Sequence, residues 1–270
     1  LVYEEQAIRS EAEMTPVKSI SHQHFASVGS TNDLALDAFR KGRREALWIT
    51  ADEQVLGKGR RGRGWVSPPG NFYGSLLLVD PAASETLPQM AFVISLALHK
   101  ALSRALPPTV QTRLTVKWPN DLLYDRKKVA GILMEATQLQ SHTGIVIGCG
   151  VNCVTSPDSM PYAVTNFAAE GHNISVPALF KLFSTEVAVA LAGWQAGAKF
   201  AAIRADWLNR ASGVGEQITV RLNNRELTGR FDGLDEQGRL LLSHPENGTS
   251  VISAGDVFML PQQSRAPEGH

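Results

Sequence analysis

Residues 57–65, GKGRRGRGW, carry two chemical capacities at once. Gly57, Gly59 and Gly62 let the backbone come close to a ligand, and Lys58, Arg60, Arg61 and Arg63 surround it with positive charge. Trp65 ends the run with a flat aromatic plate. A cationic loop beside a ring suits an anion that itself carries a ring, that is, a nucleotide. A merely solvated basic loop is the alternative, but solvation does not require the glycines. The three glycines fit G-x-G-x-x-G, yet the dinucleotide form needs a helix to open there, and Gly64, Pro68, Pro69 and Gly70 make a poor helix start. Gly57 and Gly62 have P-loop spacing, but Arg63-Gly64 stands where Lys-Ser/Thr is required. A loop of this composition is expected to order on its ligand.

A second cluster lies in VKWPND (116–121) and RKKVAG (126–131). Lys117 sits at a strand end, Asn120 and Asp121 on a turn, and Lys128 just past a hairpin tip, facing whatever the sheet faces. The two cysteines, Cys149 and Cys153, have no further metal ligands nearby and read as reduced residues ending a buried strand, which fits a cytoplasmic protein. NIS at 173–175 and NGT at 247–249 read as plain loops.

These residues need a scaffold of 270 residues, enough for one large or two smaller domains. No apolar run reaches the roughly 18–20 residues of a membrane span. The polar, acidic start is not a secretory signal. Zero net charge argues against a life on nucleic acid. Ser30 and Asp33 form a helix start for 34–42. Strands are expected at 46–52, 71–80, 113–118 and 144–152, a hairpin at 121–137, and helices at 88–106, 177–195 and 199–211. Beyond Ser212 the texture changes to short alternating strands (EQITVRL, RELTGRFDGLD, GRLLLSH, TSVISAGDV) split by NN, DEQG and ENG, which suggests a small barrel. The chain therefore divides into an arm (1–22), a larger domain (23–212), a small domain (213–262) and a tail (263–270).

The order of motifs resembles the biotin protein ligase family. The matching pieces are STN at 30–32, EQxxGKGRRGRxW at 53–65, KWPND at 117–121, KxAGIL at 128–133, IGxGxN at 147–152 and SAGDV at 253–257. The resemblance covers about residues 30 to 260 and implies an α/β (α+β) fold: a mixed-sheet catalytic domain related to lipoyl ligases, with an SH3-like C-terminal β-barrel. It implies a two-step reaction in which biotin and Mg-ATP give biotinyl-5′-AMP, and a carrier-domain lysine then attacks the mixed anhydride. Joining a carboxylate to an α-phosphate sets two anions together, so the site must supply cations.

By resemblance, Lys128 bridges the biotin carboxylate and the α-phosphate, Arg60 folds over the phosphates, and Asp121 orients or deprotonates the incoming amine; these are the implied catalytic residues. Ser30, Thr31, Asn32 and Gln54 would meet the ureido head group, and Gly131, Ile132, Leu133, Gly148 and Gly150 would form the apolar slot, with Gly57, Lys58, Gly59, Arg60 and Lys128 also on the biotin side. Lys58, Arg60, Arg61, Arg63, Trp65, Lys117, Asn120, Lys128 and Asn152 would hold ATP or the adenylate, Trp65 shielding the adenine. Magnesium ligands are left unassigned. The family loop usually has Arg where this chain has Lys58, which keeps the charge and loses the planar fork.

The implied acceptor is a biotin carboxyl carrier domain of acetyl-CoA or related carboxylases. A homodimer is left open. Too few residues precede STN for a helix-turn-helix, so repressor activity and DNA binding are not expected, nor is a membrane. The rivals are a lipoyl or octanoyl ligase, which would lack these forms of the loop and of KWPND, a non-catalytic nucleic-acid binder, and a biotin-sensing protein, against which an intact Lys128 argues.

Overall fold

Alternation along the apolar strands decides which side of the sheet each residue faces. The computed structural model describes residues 20–222, 225–246 and 248–259. A seven-stranded sheet is built from β1 (Ser21–Val28), β2 (Leu47–Gln54), β3 (Phe72–Val79), β4 (Leu114–Lys117), β5 (Asp121–Tyr124), β6 (Lys127–Leu139) and β7 (His142–Val151). Its order is β1-β2-β3-β7-β6-β5-β4. β1 and β2 run parallel and every other pair is antiparallel, so the sheet is mixed.

One face carries α2 (Met90–Ala105), α3 (Val176–Trp194) and α4 (Phe200–Leu208). Toward it β7 directs Ile145, Ile147, Cys149 and Val151, and β3 directs Phe72, Leu76 and Leu78. Among the described residues, the opposite face carries only α1 (Thr31–Arg40), whose Ala35, Leu36 and Phe39 pack on Leu47, Ile49, Leu77 and Val146. Ser30 caps α1, its Oγ accepting from the Asp33 amide. On that face β7 presents Gly144, Gly148 and Gly150, and a Cβ on Gly144 would lie 2.7 Å from the Phe39 ring. α1 can sit this close to the sheet only because that side chain is missing.

A second, five-stranded antiparallel sheet has the order β11-β10-β9-β8-β12. Its strands are β8 (Gln217–Arg221), β9 (Glu226–Leu234), β10 (Leu240–His244), β11 (Gly248–Ile252) and β12 (Asp256–Met259). It is tied to the larger sheet at several points. Residues flanking the linker pair with β4, Val116 N–H donating to Arg210 O (3.0 Å) and Ser212 N–H to Val116 O (2.8 Å). Trp118 Nε1 donates to Gly238 O (3.1 Å), and Arg126 bonds Glu216 at 2.7 Å.

Three expectations need correction. β1 begins at Ser21, inside the segment expected to be an arm; it is an edge strand with little apolar alternation, and its parallel pairing with β2 holds it. TSVISAGDV is two strands, because Ser253–Gly255 turn the chain from one edge of the small sheet to the other. Val176–Gly197 is long and apolar enough, by length and composition, to cross a membrane. In the fold its Leu179, Phe183, Val187 and Trp194 are buried in the core. The rest of the arm, the tail 263–270, the NN turn at 223–224 and Asn247 lie outside the described residues.

Replacing Gly144 with Ala should force Phe39 off its position and cost about 1–3 kcal/mol, as overpacked cores do. Urea unfolding of the variant measures the loss; an unchanged midpoint would mean α1 yields freely.

Candidate functional site

α1 covers only part of its face of the sheet. Beside it, β6 and β7 place Gly131 opposite Gly150, and the indole of Trp65 lies on that pair. A Cβ on Gly150 would come within 2.5 Å of Trp65 Nε1, and one on Gly131 within 3.1 Å of its ring. A Cβ on Gly148 would fall 2.2 Å from Asn32 Oδ1. These glycines lower the floor of a cavity that runs from Ser30, Thr31 and Asn32 to Lys117, Asn120 and Lys128.

At the α1 end the polar side chains bond to one another. Ser75 Oγ lies 2.7 Å from Thr31 Oγ1 and 2.6 Å from Asn32 Oδ1. Asn32 Nδ2 donates to Glu135 (2.6 Å), and Thr31 N–H and Oγ1 donate to Gln54 Oε1 (2.9 and 3.0 Å). Gln54 in turn reaches Ser67 at 3.1 Å. Such mutual bonding fixes rotamers in advance of any ligand. The buried indole N–H of Trp65 has no hydrogen-bond partner among the described residues, which leaves a donor in the wall.

The other end is cationic. Lys58, Arg60, Arg63, Lys117 and Lys128 line the cavity against two carboxylates, Asp121 and Asp256, so the wall is locally positive although the chain is neutral. Asp121 lies between Lys128 Nζ (2.7 Å) and Lys117 Nζ (3.1 Å), with all three side chains 14% exposed. Burial pushes the Asp121 carboxyl up, but the two ammonium groups outweigh burial and hold it at about 2. Lys128 also faces two rings, Trp65 at 5.3 Å and Tyr162 at 5.6 Å. Its backbone pairs on both sides with 163–165, donating to Ala163 O (2.9 Å) and accepting from Thr165 N–H (3.0 Å). Burial draws the Arg60 guanidinium down, with Arg61 and Arg63 adding to that, while Asp256 and Asp121 oppose it.

The basic run is a small hairpin. Trp65 N–H donates to Gly57 O (2.9 Å) and Gly59 N–H to Arg63 O (2.7 Å), with Arg61 at φ 56° on the tip. Lys58 Nζ pairs with Asp33 at 2.6 Å, and Arg60 Nη1 donates to Asn120 Oδ1 at 3.0 Å.

Of the residues assigned by resemblance to catalysis, biotin or ATP, all but two line this one cavity. Gly57 does not; a Cβ there would meet Trp65 O at 2.3 Å, so its smallness closes the hairpin. Arg61 does not; its guanidinium pairs with Asp256 at 3.3 Å. Asn152 lines the wall, but its side chain is engaged with Thr165 O (3.1 Å). Sequence reasoning missed Ser75 and Glu135 behind the head-group residues, the segment carrying Met160 and Tyr162, and Asp256, Val257 and Phe258 from the small sheet. SAGDV was visible as a motif, but nothing in it located Asp256 beside residues 195 positions earlier.

Comparisons with known proteins agree with this arrangement. Residues 24–152 match the model of the biotin/lipoate A/B protein ligase family, and residues 213–260 match that of the biotin protein ligase C terminal domain. The chain is 39% identical over 244 residues to a biotin–[acetyl-CoA-carboxylase] ligase of Paracoccus denitrificans, covering 87% of this chain and 98% of that one. In fold it is similar to an Aquifex aeolicus biotin protein ligase in complex with biotin and ATP (TM-score 0.76, 23% identity, 89% of this chain and 98% of that one). It is also similar to a Leishmania major biotin protein ligase in complex with biotinyl-5-AMP (TM-score 0.64, 22% identity, 87% and 99%).

The charge arrangement fixes a sign that NMR can read. Removing one ammonium by Lys128→Met should raise the Asp121 carboxyl above about 2, toward the ordinary Asp value near 3.9. A carbon-detected titration of the Asp121 carboxyl measures it; no upward movement would mean Lys128 is not its main counter-ion. Because the folded value is depressed, the stability this group contributes is present above about pH 4 and fades as pH falls toward 2.

Proposed function

We infer the function from one premise: this chain belongs to the biotin protein ligase family. It is an ATP-dependent ligase that forms biotinyl-5′-AMP from biotin and ATP and then transfers biotin to a lysine of a protein. The acceptor we propose is a biotin carboxyl carrier protein or domain, as the name of the Paracoccus relative suggests, and the compartment the cytoplasm. The working division of the chain is a catalytic part to residue 212 and an SH3-like part from 213.

The observation that carries the site reading is a single cavity in which a glycine floor under Trp65 runs into a cationic wall, with Lys128 at the join. In the first step a biotin carboxylate oxygen forms a bond to the α-phosphorus of ATP, and the bond from that phosphorus to the oxygen bridging the β-phosphate breaks. Pyrophosphate leaves. Lys128 and Arg60 offset the charge of the two approaching anions. Magnesium enters as the ATP chelate. The two cavity carboxylates are committed to Lys117, Lys128 and the loop arginines, and no group of three His, Cys, Asp or Glu among the described residues forms a metal site.

In the second step the carrier amine forms a bond to the acyl carbon, the acyl–phosphate oxygen bond breaks, AMP leaves, and the amine's proton passes to solvent water. Asp121 is bonded to Lys128 and Lys117, so its role here is to orient cations. Thr31, Asn32, Ser30 and Gln54 are suited to a ureido head group, since each is already fixed by a neighbour.

The test mixes the protein with biotin, Mg-ATP and a carboxylase carrier domain, following carrier mass and pyrophosphate. One biotin on one lysine is expected; activity with lipoate or octanoate instead would overturn the slot assignment. Arg60→Gly should still form the adenylate but release it about 10- to 100-fold faster, the effect of losing charged hydrogen bonds of about 1.5–3 kcal/mol. Scattered lysine labelling would report that release, whereas labelling confined to the carrier would remove Arg60 from the retention role.

A further inference from the structure

The arginine hairpin is gripped from the small sheet. Asp256, the first residue of β12, faces three guanidinium groups: Arg61 Nη1 at 3.3 Å, Arg63 Nη2 at 3.2 and 3.1 Å from its two oxygens, and Arg60 Nη1 at 3.7 Å. Its side chain is 16% exposed. The neighbouring backbone joins in, Gly255 O accepting from Arg60 (3.4 Å) and Val257 O from Lys117 Nζ (3.3 Å). Gly255 sets the approach: a Cβ there would lie 2.7 Å from Val220 Cγ1 and 3.3 Å from Arg221 O, so the chain can lie against β8 only without a side chain.

We propose that Asp256 is a positioning residue for adenylate formation and retention, holding the arginine hairpin at the cavity so that phosphate meets guanidinium groups already in place. This rests on the biotin ligase reading above. The physical reason is repulsion and entropy. Three guanidinium groups within one glycine-rich hairpin repel each other, and arginine rotamers and glycine backbone are costly to fix. One partly shielded carboxylate orders all three and neutralises only one charge, so the wall stays positive toward an anion. Arg61 then belongs to the anchor rather than to the phosphate: it contacts Asp256 and lines no part of the cavity. The small sheet is in this way part of the reaction machinery.

The experiment uses the full chain carrying Asp256→Asn, which keeps shape and loses charge, with Asp256→Glu as the conservative rescue and Arg61→Gln as the partner variant. Three quantities are read: the KM for ATP in biotin-dependent pyrophosphate release, the kcat of the same reaction, and trypsin cleavage after residues 58–63 without substrate. Asp256→Asn should raise the ATP KM about tenfold with a smaller change in kcat, and should speed cleavage in the hairpin. Asp256→Glu should recover part of both, and Arg61→Gln should move both in the same direction by less. An ATP KM that stays level or falls in Asp256→Asn, with hairpin cleavage unchanged, overturns the proposal. If Asp256→Asn does not fold, Arg61→Gln decides by the same two readouts. A wild-type protein with no biotin-dependent pyrophosphate release would sink the functional reading, while the cleavage rates still judge the anchor.

Discussion

Close approach to one face of β7 is the constraint on which the rest depends. Along that face Gly144, Gly148 and Gly150 receive, in turn, Phe39, Asn32 and Trp65. The first contact seats α1 on the sheet, the second places the start of α1 over the cavity, and the third lays the end of the arginine hairpin on the floor. A side chain at any of the three would push its partner back to ordinary contact distance. The strand that looks least functional, a run of small and apolar residues, thus sets the height of every element around the site. Ile145, Ile147 and Cys149, between the glycines, face the other way into the core with α2, so one strand anchors the fold with one face of its pleat and shapes the cavity with the other.

Charge imposes the second condition. A site that joins two anions must concentrate cations, and concentrated cations must be held apart from solvent and from one another. Two carboxylates do this here. Asp121 holds Lys117 and Lys128 on the β4–β6 side, and Asp256 meets the arginines from the small sheet. Each serves more than one cation, so net positive charge remains. The Lys117–Asp121–Lys128 group is only 14% exposed, so screening there is weak, whereas Lys58–Asp33 is nearly half exposed and contributes little to stability.

Much of this was legible in the sequence because it is local. The hairpin at 121–137, with Asp125 and Arg126 at positive φ on its tip, follows from short-range turn chemistry, and the caps of α1 and α3 and the apolar periods of α1, α2 and α3 are equally local. The motifs named most of the lining residues, among them the glycines inside β6 and β7 and the residues of the hairpin and the 117–121 turn. What was hidden depends on distance along the chain. β1 gives no periodic signal and is held by β2. Ser75 and Glu135 act from behind their partners, and Tyr162 sits in an irregular segment whose place is fixed by pairing with the Lys128 backbone. Arg61 shares its composition with Arg60 and Arg63; only the turn at the hairpin tip separates their directions.

That turn bears on the lysine at the start of the loop. Lys58 precedes the tip, and its ammonium meets a single carboxylate oxygen of Asp33 on α1. A point charge suits one oxygen as well as a planar fork does; the fork gains only where two acceptors lie in its plane. The hairpin is therefore tethered at its base by a lysine and gripped at its tip by arginines, and the two positions ask for different cations. At the base a weak, half-exposed pair can open toward the cavity without leaving a buried charge behind. At the tip, where one carboxylate serves three groups, the directional donors of arginine are required. Under the role proposed for the hairpin, directional bonding then falls to Arg60 and its neighbours rather than to the lysine that begins the loop.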